Sequence, residues 1–114
     1  MSAVAYDEEL ANRIRELIGA DPDLTEKRMF GGLAFLIGGH MAISASGRGG
    51  VLVRADPRQS DRLVASGRAH VAVMQGRAMP GWLRVDDEYL RTKRELAKWV
   101  TEGTGYARSL PKKG

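Results

Sequence analysis

Apolar residues near the start of the chain recur at helical spacing. The members of this stripe are Leu10, Ile14, Leu17 and Ile18. Their intervals of four, three and one residues place them on one side of a helix, which we predict over residues 5–19. The acidic residues 7–9 would lie in its first turn, where the helix dipole favours negative charge. Gly19 is positioned to end the helix in a left-handed cap.

From residue 24 to residue 54 the helical period is lost, and short runs are separated by glycines. These runs cover residues 24–30, 33–37, 40–46 and 51–54. Paired glycines suit tight hairpins, because they adopt positive φ without steric cost. The pair at residues 31–32 also permits a bulge that joins two runs into one kinked strand. The segment therefore predicts three or four strands.

A second helix is predicted to begin at Asp56, a good N-cap residue, followed by Pro57 in the first helical position. Gln59 stands three residues after the cap, and Gly67 ends the helix. Two more strands follow at residues 69–74 and 82–85, which we expect a loop over residues 76–81 to join. Val71 and Val73 would share one face of their strand, and Leu83 and Val85 one face of theirs.

The last helix begins near Thr92, which forms a capping-box pattern with Glu95. A helical stripe follows through Leu96, Trp99, Val100, Ala107 and Leu110. Gly103 and Gly105 weaken it, so we expect a break or close packing near residue 104. The whole pattern predicts an α+β domain over residues 1–110, with an antiparallel sheet, helices packed on it and a frayed basic tail over residues 111–114.

Composition narrows the classes of protein that this chain can belong to. It has 114 residues and no cysteine, which excludes disulfides, cysteine-ligated zinc and a thiol nucleophile. The longest apolar run, Leu33 to Ile37, is far shorter than the roughly 20 residues of a membrane span. The first residues lack the basic start and apolar stretch of a signal peptide. We expect a cytoplasmic protein that has no membrane association.

The net charge of +4 is unevenly distributed. Residues 1–26 hold seven acids and two arginines, a net of −5, whereas residues 27–85 hold nine bases and two acids, a net of +7. Residues 86–114 hold seven bases and five acids, a net of +2. The basic middle block either attracts an acidic partner or nucleic acid, or faces the acidic first segment within the fold.

Several segments resemble the N-terminal domain of the TfoX/Sxy proteins. Residues 6–10 and 25–36 carry the first part of the resemblance, and residues 76–82, Trp99 and residues 107–111 carry the later part. The signature residues are Lys27, Arg28, Met29, Phe30, Gly31, Gly32, Gly81 and Trp82. Pro80 departs from the pattern, because a basic residue is expected before Gly81, and proline removes an amide donor there.

The resemblance implies a two-layer, secretion-chaperone-like fold in the order α-β3-α-β2-α. It also implies a non-enzymatic regulator of competence genes that acts with an activator of the cyclic-AMP receptor type. Full-length members carry a further helical domain, which we do not expect in a chain of 114 residues. The family supplies no catalytic residues to transfer.

The residues themselves offer little catalytic chemistry, so we predict no catalytic residue, no cofactor and no metal. His40 and His70 have no second ligand at metal-binding spacing, and we take both as ordinary strand residues. The carboxylates of residues 86–88 either form a solvated turn or hold a divalent cation through oxygen ligands. The glycine-rich stretches match neither a phosphate loop nor a dinucleotide-binding turn.

We therefore expect a regulatory or protein-interaction module whose partner belongs to the transcription machinery or its regulators. The fold analogy suggests a homodimer. Direct nucleic-acid binding through residues 27–85 is the alternative, and an uncharacterised small-molecule or enzymatic role is the second alternative. The candidate anion or partner surface comprises Arg54, Arg58, Arg62 and Arg84, with Lys27 and Arg28 beside them.

Overall fold

The structure is a computed structural model that describes residues 6–29 and 31–113. Its elements in chain order are α1 (Glu8–Ile18), β1 (Leu24–Met29), β2 (Gly32–Ile37), β3 (His40–Ala45), β4 (Val51–Arg54), α2 (Ser60–Ala65), β5 (His70–Met74), β6 (Arg77–Val85) and α3 (Lys93–Ser109). Short 3-10 turns lie before α2, at Pro57–Gln59, and before α3, at Asp87–Tyr89.

The six strands form one antiparallel sheet in the order β1-β2-β3-β4-β6-β5. The predicted α+β class, with helices packed on an antiparallel sheet, is confirmed. Within the described part of the chain, four strands precede α2. The order is therefore α-β4-α-β2-α, one strand more than the resemblance implies and the larger of the two numbers that the glycine pattern predicts.

The paired glycines mark turns between the first strands. Ile37 pairs with His40, so Gly38 and Gly39 form the two-residue turn between β2 and β3. Met29 pairs with Gly32, which makes β1 and β2 a hairpin and excludes the single kinked strand. Phe30 lies outside the described residues.

The two faces of the sheet differ in what covers them. One face packs against all three helices, through a core that includes Ile14 of α1, Leu63 of α2 and Trp99 of α3. On the other face, the apolar cluster of described residues comes from strands alone, and every strand contributes. Its members are Ala34, Met41, Leu52 and Ala72, with Met29, Leu36, Met74 and Trp82 half-buried around them. The first four are buried, and the half-buried four reach the surface; we call this side of the sheet the open face.

Helix α1 is shorter than its periodicity predicts. It begins at Glu8, after Asp7, whose carboxylate accepts a hydrogen bond from the Leu10 amide at 3.1 Å. Asp7 is therefore the N-cap residue and not part of the first turn. The predicted start at residue 5 falls outside the described residues. The predicted end is confirmed, because Gly19 caps the helix with a φ of 70°.

The predicted loop over residues 76–81 is wrong, because β6 begins at Arg77. Val71 pairs with Leu83 and Val73 pairs with Ala78, so four residues of β6 lie opposite one residue of β5. This bulge also separates the two valines that we expected on one face. Val71 packs against the helix-side core, whereas Val73 is 60% exposed.

Pro80 and Gly81 lie within this bulge of β6. A proline is tolerated there because the ladder of hydrogen bonds to β5 is already interrupted. The turn of the backbone also brings the Gly81 carbonyl oxygen to the Ala55 amide, which donates to it at 2.7 Å. The prediction that Leu83 and Val85 share one face of their strand is confirmed, because both belong to the helix-side core.

Helix α3 is continuous across its two glycines. Its start is as predicted, with both hydrogen bonds of a capping box formed between Thr92 and Glu95. A break near residue 104 does not occur. The alternative of close packing is confirmed, because a Cβ atom on Gly103 would lie 2.2 Å from the carbonyl oxygen of Ala42 in β3.

Candidate functional site

Two of the four predicted surface arginines are paired with acidic groups. Arg58 is exposed and forms an ion pair at 3.0 Å with Asp56, which is the N-cap residue of the 3-10 turn before α2. Arg62 donates a hydrogen bond to the Gln59 side chain at 2.8 Å and lies 3.6 Å from the Glu102 carboxylate of α3. The Gln59 side chain thus binds Arg62. These two arginines stand apart from the open face.

Arg84 lies on the same side of β6 as Trp82 and is half-buried. Its guanidinium donates to the Ser46 hydroxyl at 3.4 Å. Burial, and then the positive charge of Arg48, hold the pKa of Arg84 below its ordinary value. Arg84 remains a cation near neutral pH, because the ordinary pKa of arginine is so high.

Arg54 occupies a different environment at the end of β4. Its guanidinium carbon lies 4.9 Å from the centre of the Trp82 ring and 5.2 Å from the centre of the Tyr106 ring. Arg54 and Trp82 are cross-strand partners in the β4–β6 pair, and Tyr106 comes from α3. Two aromatic rings therefore hold this guanidinium in place through cation–π attraction.

A cleft of about 410 Å³ opens beside Arg54 at one end of the open face. The residues that line it are Lys27, Met29, Leu36, Gly39, His40, Met41, Arg54, Trp82, Leu110 and Lys113. Four of these carry basic side chains, and no acidic side chain is among the described residues of the lining. Its floor is apolar and rich in methionine. We call this feature the basic cleft.

The family-signature segment contributes to two sides of the molecule. Lys27 and Met29 line the basic cleft. The Arg28 guanidinium instead lies 5.5 Å from the centre of the Tyr6 ring. Gly32 packs against the backbone of Ala45, where no Cβ atom would fit. The signature thus combines residues that line the cleft with a residue that contacts Tyr6 and a glycine that lets β2 lie close to β3.

The C-terminal segment, residues 110–113, forms one wall of the cleft. The Lys113 amide donates to the Gly38 carbonyl at 2.9 Å, and His40 donates from Nε2 to the Pro111 carbonyl at 2.6 Å. Lys112 pairs with the Asp23 carboxylate at 3.0 Å. The expected fraying is therefore wrong for residues 111–113, and Gly114 lies outside the described residues. Sequence reasoning missed His40 and Lys113, because only the fold brings them to Arg54.

The acidic first segment, residues 1–26, forms ion pairs with basic residues outside the middle block. Asp21 pairs with Arg108 at 2.9 Å, and Glu26 pairs with Arg15 of its own segment at 2.7 Å. Among the described residues, the ion pairs of residues 6–26 lead to this segment itself, to Arg108 of α3 and to Lys112, and none reaches residues 27–85. The two surfaces do not neutralise each other, and the basic cleft keeps its charge.

The contacts of Asp21 make acid stability a test of its hydrogen bond with the Asp23 amide and of its ion pair with Arg108 of α3. The pKa of its carboxyl is held below the usual value, first by the Asp23 amide, which donates at 2.8 Å, and then by Arg108. With a depressed folded-state pKa, the stabilisation is complete above the unfolded pKa and is lost as pH falls through the folded value. We expect Asp21→Asn to be less stable at pH 7 and to lose less stability than the parent between about pH 5 and pH 3.

Urea denaturation at several pH values measures this difference. The matched control is Glu88→Gln, which neutralises an exposed carboxylate that has no ion pair among the described residues. This variant should reproduce the acid profile of the parent. An Asp21→Asn protein with the parent's acid profile would contradict the assignment.

Among the carboxylates of residues 86–88, Asp87 has a structural role in the β3–β4 turn. Asp87 accepts a hydrogen bond from the Gly50 amide at 2.9 Å and so braces that turn against the segment before α3. Within residues 6–29 and 31–113, no three histidine or acidic side chains converge in a way that would hold a metal ion. In the same ranges, none of the helices has the length and apolar character to traverse a lipid bilayer.

Comparison with known proteins gives one match. The family model described as the TfoX N-terminal domain matches residues 16–107, which is most of the chain. The match includes every cleft residue except Leu110 and Lys113. No curated protein and no solved structure matches the chain.

Proposed function

Because the chain belongs to the TfoX N-terminal domain family, we propose that it is a regulatory module that binds a protein partner and has no catalytic role. The family is known for regulation of competence genes and not for catalysis. The partner that we propose is a component or regulator of the transcription machinery. A second copy of the chain is an alternative occupant of the same surface.

The observation that carries this proposal is the open face. No helix contributes to its apolar cluster among the described residues, and four large side chains lie half-buried there. Methionines adapt their shape to a partner, and tryptophan and arginine are the residues that contribute most to binding at interfaces. The face therefore has the composition of a docking surface.

Charge defines the partner that would fit. Lys27 and Arg54 lie beside the apolar side chains, and Arg84 lies further along β6. A partner with carboxylates around an apolar centre would be complementary to this surface. Direct nucleic-acid binding through residues 27–85 remains the alternative, but the ion pairs of Arg58 and Arg62 leave less of that block available to phosphates.

Genetic complementation tests the proposal. In cells that carry this chain natively, deletion should change transcript levels, and the intact chain should restore them. Met74→Glu places a charge on the open face outside the basic cleft and should fail to restore them. Arg94→Glu, at an exposed position in the first turn of α3, should restore them fully.

Cross-linking in the same cells identifies the molecule that binds the open face. A photoreactive residue at position 74 should join the chain to one acidic protein, whereas the same residue at position 94 should not. If deletion changes no transcript, or if Met74→Glu restores expression, the proposal is wrong. A cross-link to a second copy would assign the face to a homodimer, and a cross-link to nucleic acid would favour the alternative.

A further inference from the structure

We propose that the basic cleft binds a small organic phosphate with a flat or apolar body, of about the size of a mononucleotide. This inference concerns the end of the open face where the C-terminal segment lies, and it does not depend on the proposed protein partner. The basic cleft has a volume of about 410 Å³, which falls within the common range of small-molecule sites, roughly 300–1,000 Å³.

The first argument is the concentration of positive charge. The cations Lys27, Arg54 and Lys113 come from β1, β4 and the C-terminal segment, and the imidazole of His40 in β3 lines the same cleft. Elsewhere the chain places a carboxylate beside arginines such as Arg15, Arg58 and Arg108. Like charges brought together in this way repel one another, and a dianionic phosphate would relieve that repulsion.

The second argument is that the donors are oriented but unused. Among the described residues, no carboxylate or hydrogen-bond acceptor engages the guanidinium of Arg54, whose position is fixed by Trp82 and Tyr106. The His40 ring is also held in place, because its Nε2 donates to the Pro111 carbonyl. Groups held in place before binding lose little conformational entropy on binding, which favours affinity.

The third argument is the apolar floor. Met29, Leu36, Met41 and Leu110 contribute apolar surface next to the cations. Inorganic phosphate would leave this surface unused, whereas an organic phosphate would bury it. Binding sites for small molecules combine such apolar walls with a few polar groups that fix orientation.

The same geometry disfavours a nucleic-acid strand as the occupant. A strand needs a continuous basic groove along which successive phosphates can lie. Here the C-terminal segment closes one side of the cleft, and Arg58 and Arg62 are engaged by Asp56 and Glu102. The cleft therefore suits one phosphate group with a compact body.

Calorimetric titration of the full chain tests this inference. The probes are adenosine 5′-monophosphate, adenosine, inorganic phosphate and a single-stranded 12-mer of DNA. We expect the monophosphate to bind at least about tenfold more tightly than adenosine or inorganic phosphate. Arg54→Gln and Lys27→Gln should each weaken it about tenfold or more, since each removes a charge-assisted contact.

Arg94→Gln, which removes one positive charge outside the cleft, is the matched control and should leave the affinity within about twofold of the parent. Circular dichroism and thermal melting of each variant establish that it is folded, and Lys27→Gln, at an exposed position of β1, provides a second test if Arg54→Gln does not fold. The inference is overturned if millimolar monophosphate does not bind, or if Arg94→Gln weakens binding as much as Arg54→Gln.

A 12-mer that binds more tightly per phosphate than the monophosphate, with affinity that falls steeply in salt, would also overturn the inference and assign the cleft to nucleic acid. If the monophosphate does not bind, the transcript and cross-linking results at Met74 are unaffected, because Met74 does not line the cleft. The two proposals therefore fail separately.

Discussion

Gly103→Ala is expected to destabilise the protein by about 2 kcal/mol or more, although alanine is the better helix former. Gly103 is a point of close approach between α3 and β3. A Cβ atom there would lie 2.2 Å from the carbonyl oxygen of Ala42 and 2.9 Å from its carbonyl carbon. Both are backbone atoms, so relief requires the helix to move away from the sheet. That movement would disturb the packing of Trp99 and Ala107, which are buried against the same sheet.

Gly105→Ala is the matched control in the same helix. Nothing lies within 4 Å of a Cβ atom at Gly105, so only helix propensity changes, and we expect a gain of about 1 kcal/mol. Urea denaturation of both variants measures the two free energies of unfolding. If Gly103→Ala is as stable as Gly105→Ala, the close contact between α3 and β3 is wrong.

The two glycines show what the sequence of α3 can predict. Periodicity and the capping box predict the helix and its start, because both depend on neighbours in the chain. Helix propensity alone predicts that Gly103 and Gly105 destabilise the helix equally. They differ because one faces Ala42, a residue 61 positions away in the chain. A contact of that kind depends on tertiary packing, which local pattern does not encode.

In the β5–β6 hairpin, local sequence predicts a loop where the structure has a strand. Glycine and proline in residues 76–81 are typical of a loop, and we read them so. In the structure β6 continues through Pro80 and Gly81 as a bulge. Sheet pairing overrides the local preference here, because the strand regains its partners on both sides of the interruption.

The basic cleft was only partly predictable. From the sequence we place Lys27 beside Arg54 on a candidate anion surface, but we take Trp82 only as a signature residue and group Arg54 with Arg58, Arg62 and Arg84, of which none lines the cleft. His40 looked like an ordinary strand residue, and Lys113 looked like part of a frayed tail. The docking of the C-terminal segment on the β2–β3 hairpin brings both to the cleft, and such long-range docking has no signature in local spacing.

Gly81→Ala is the second substitution for which we expect a large effect, because Gly81 lies against Arg54, a residue of the basic cleft. Its φ of 85° is a left-handed conformation that costs alanine about 1–2 kcal/mol. A Cβ atom there would also lie 2.7 Å from Nη1 of Arg54 and 2.9 Å from the Ala55 carbonyl oxygen. We expect a total loss of about 2–4 kcal/mol in the free energy of unfolding, together with displacement of the Arg54 guanidinium.

Gly76→Ala separates these contributions, since Gly76 has a φ of 76° but nothing within 4 Å of a Cβ atom. It carries the same conformational cost without the contacts, so its loss should stay near 1–2 kcal/mol, roughly the left-handed penalty alone. Urea denaturation gives both values, and the near-ultraviolet circular dichroism of the tryptophans reports whether the ring of Trp82 has moved in the Gly81 variant only. Equal losses for the two variants would show that the Gly81 backbone does not press on Arg54 and Ala55. Its place in the family signature would then reflect backbone conformation alone.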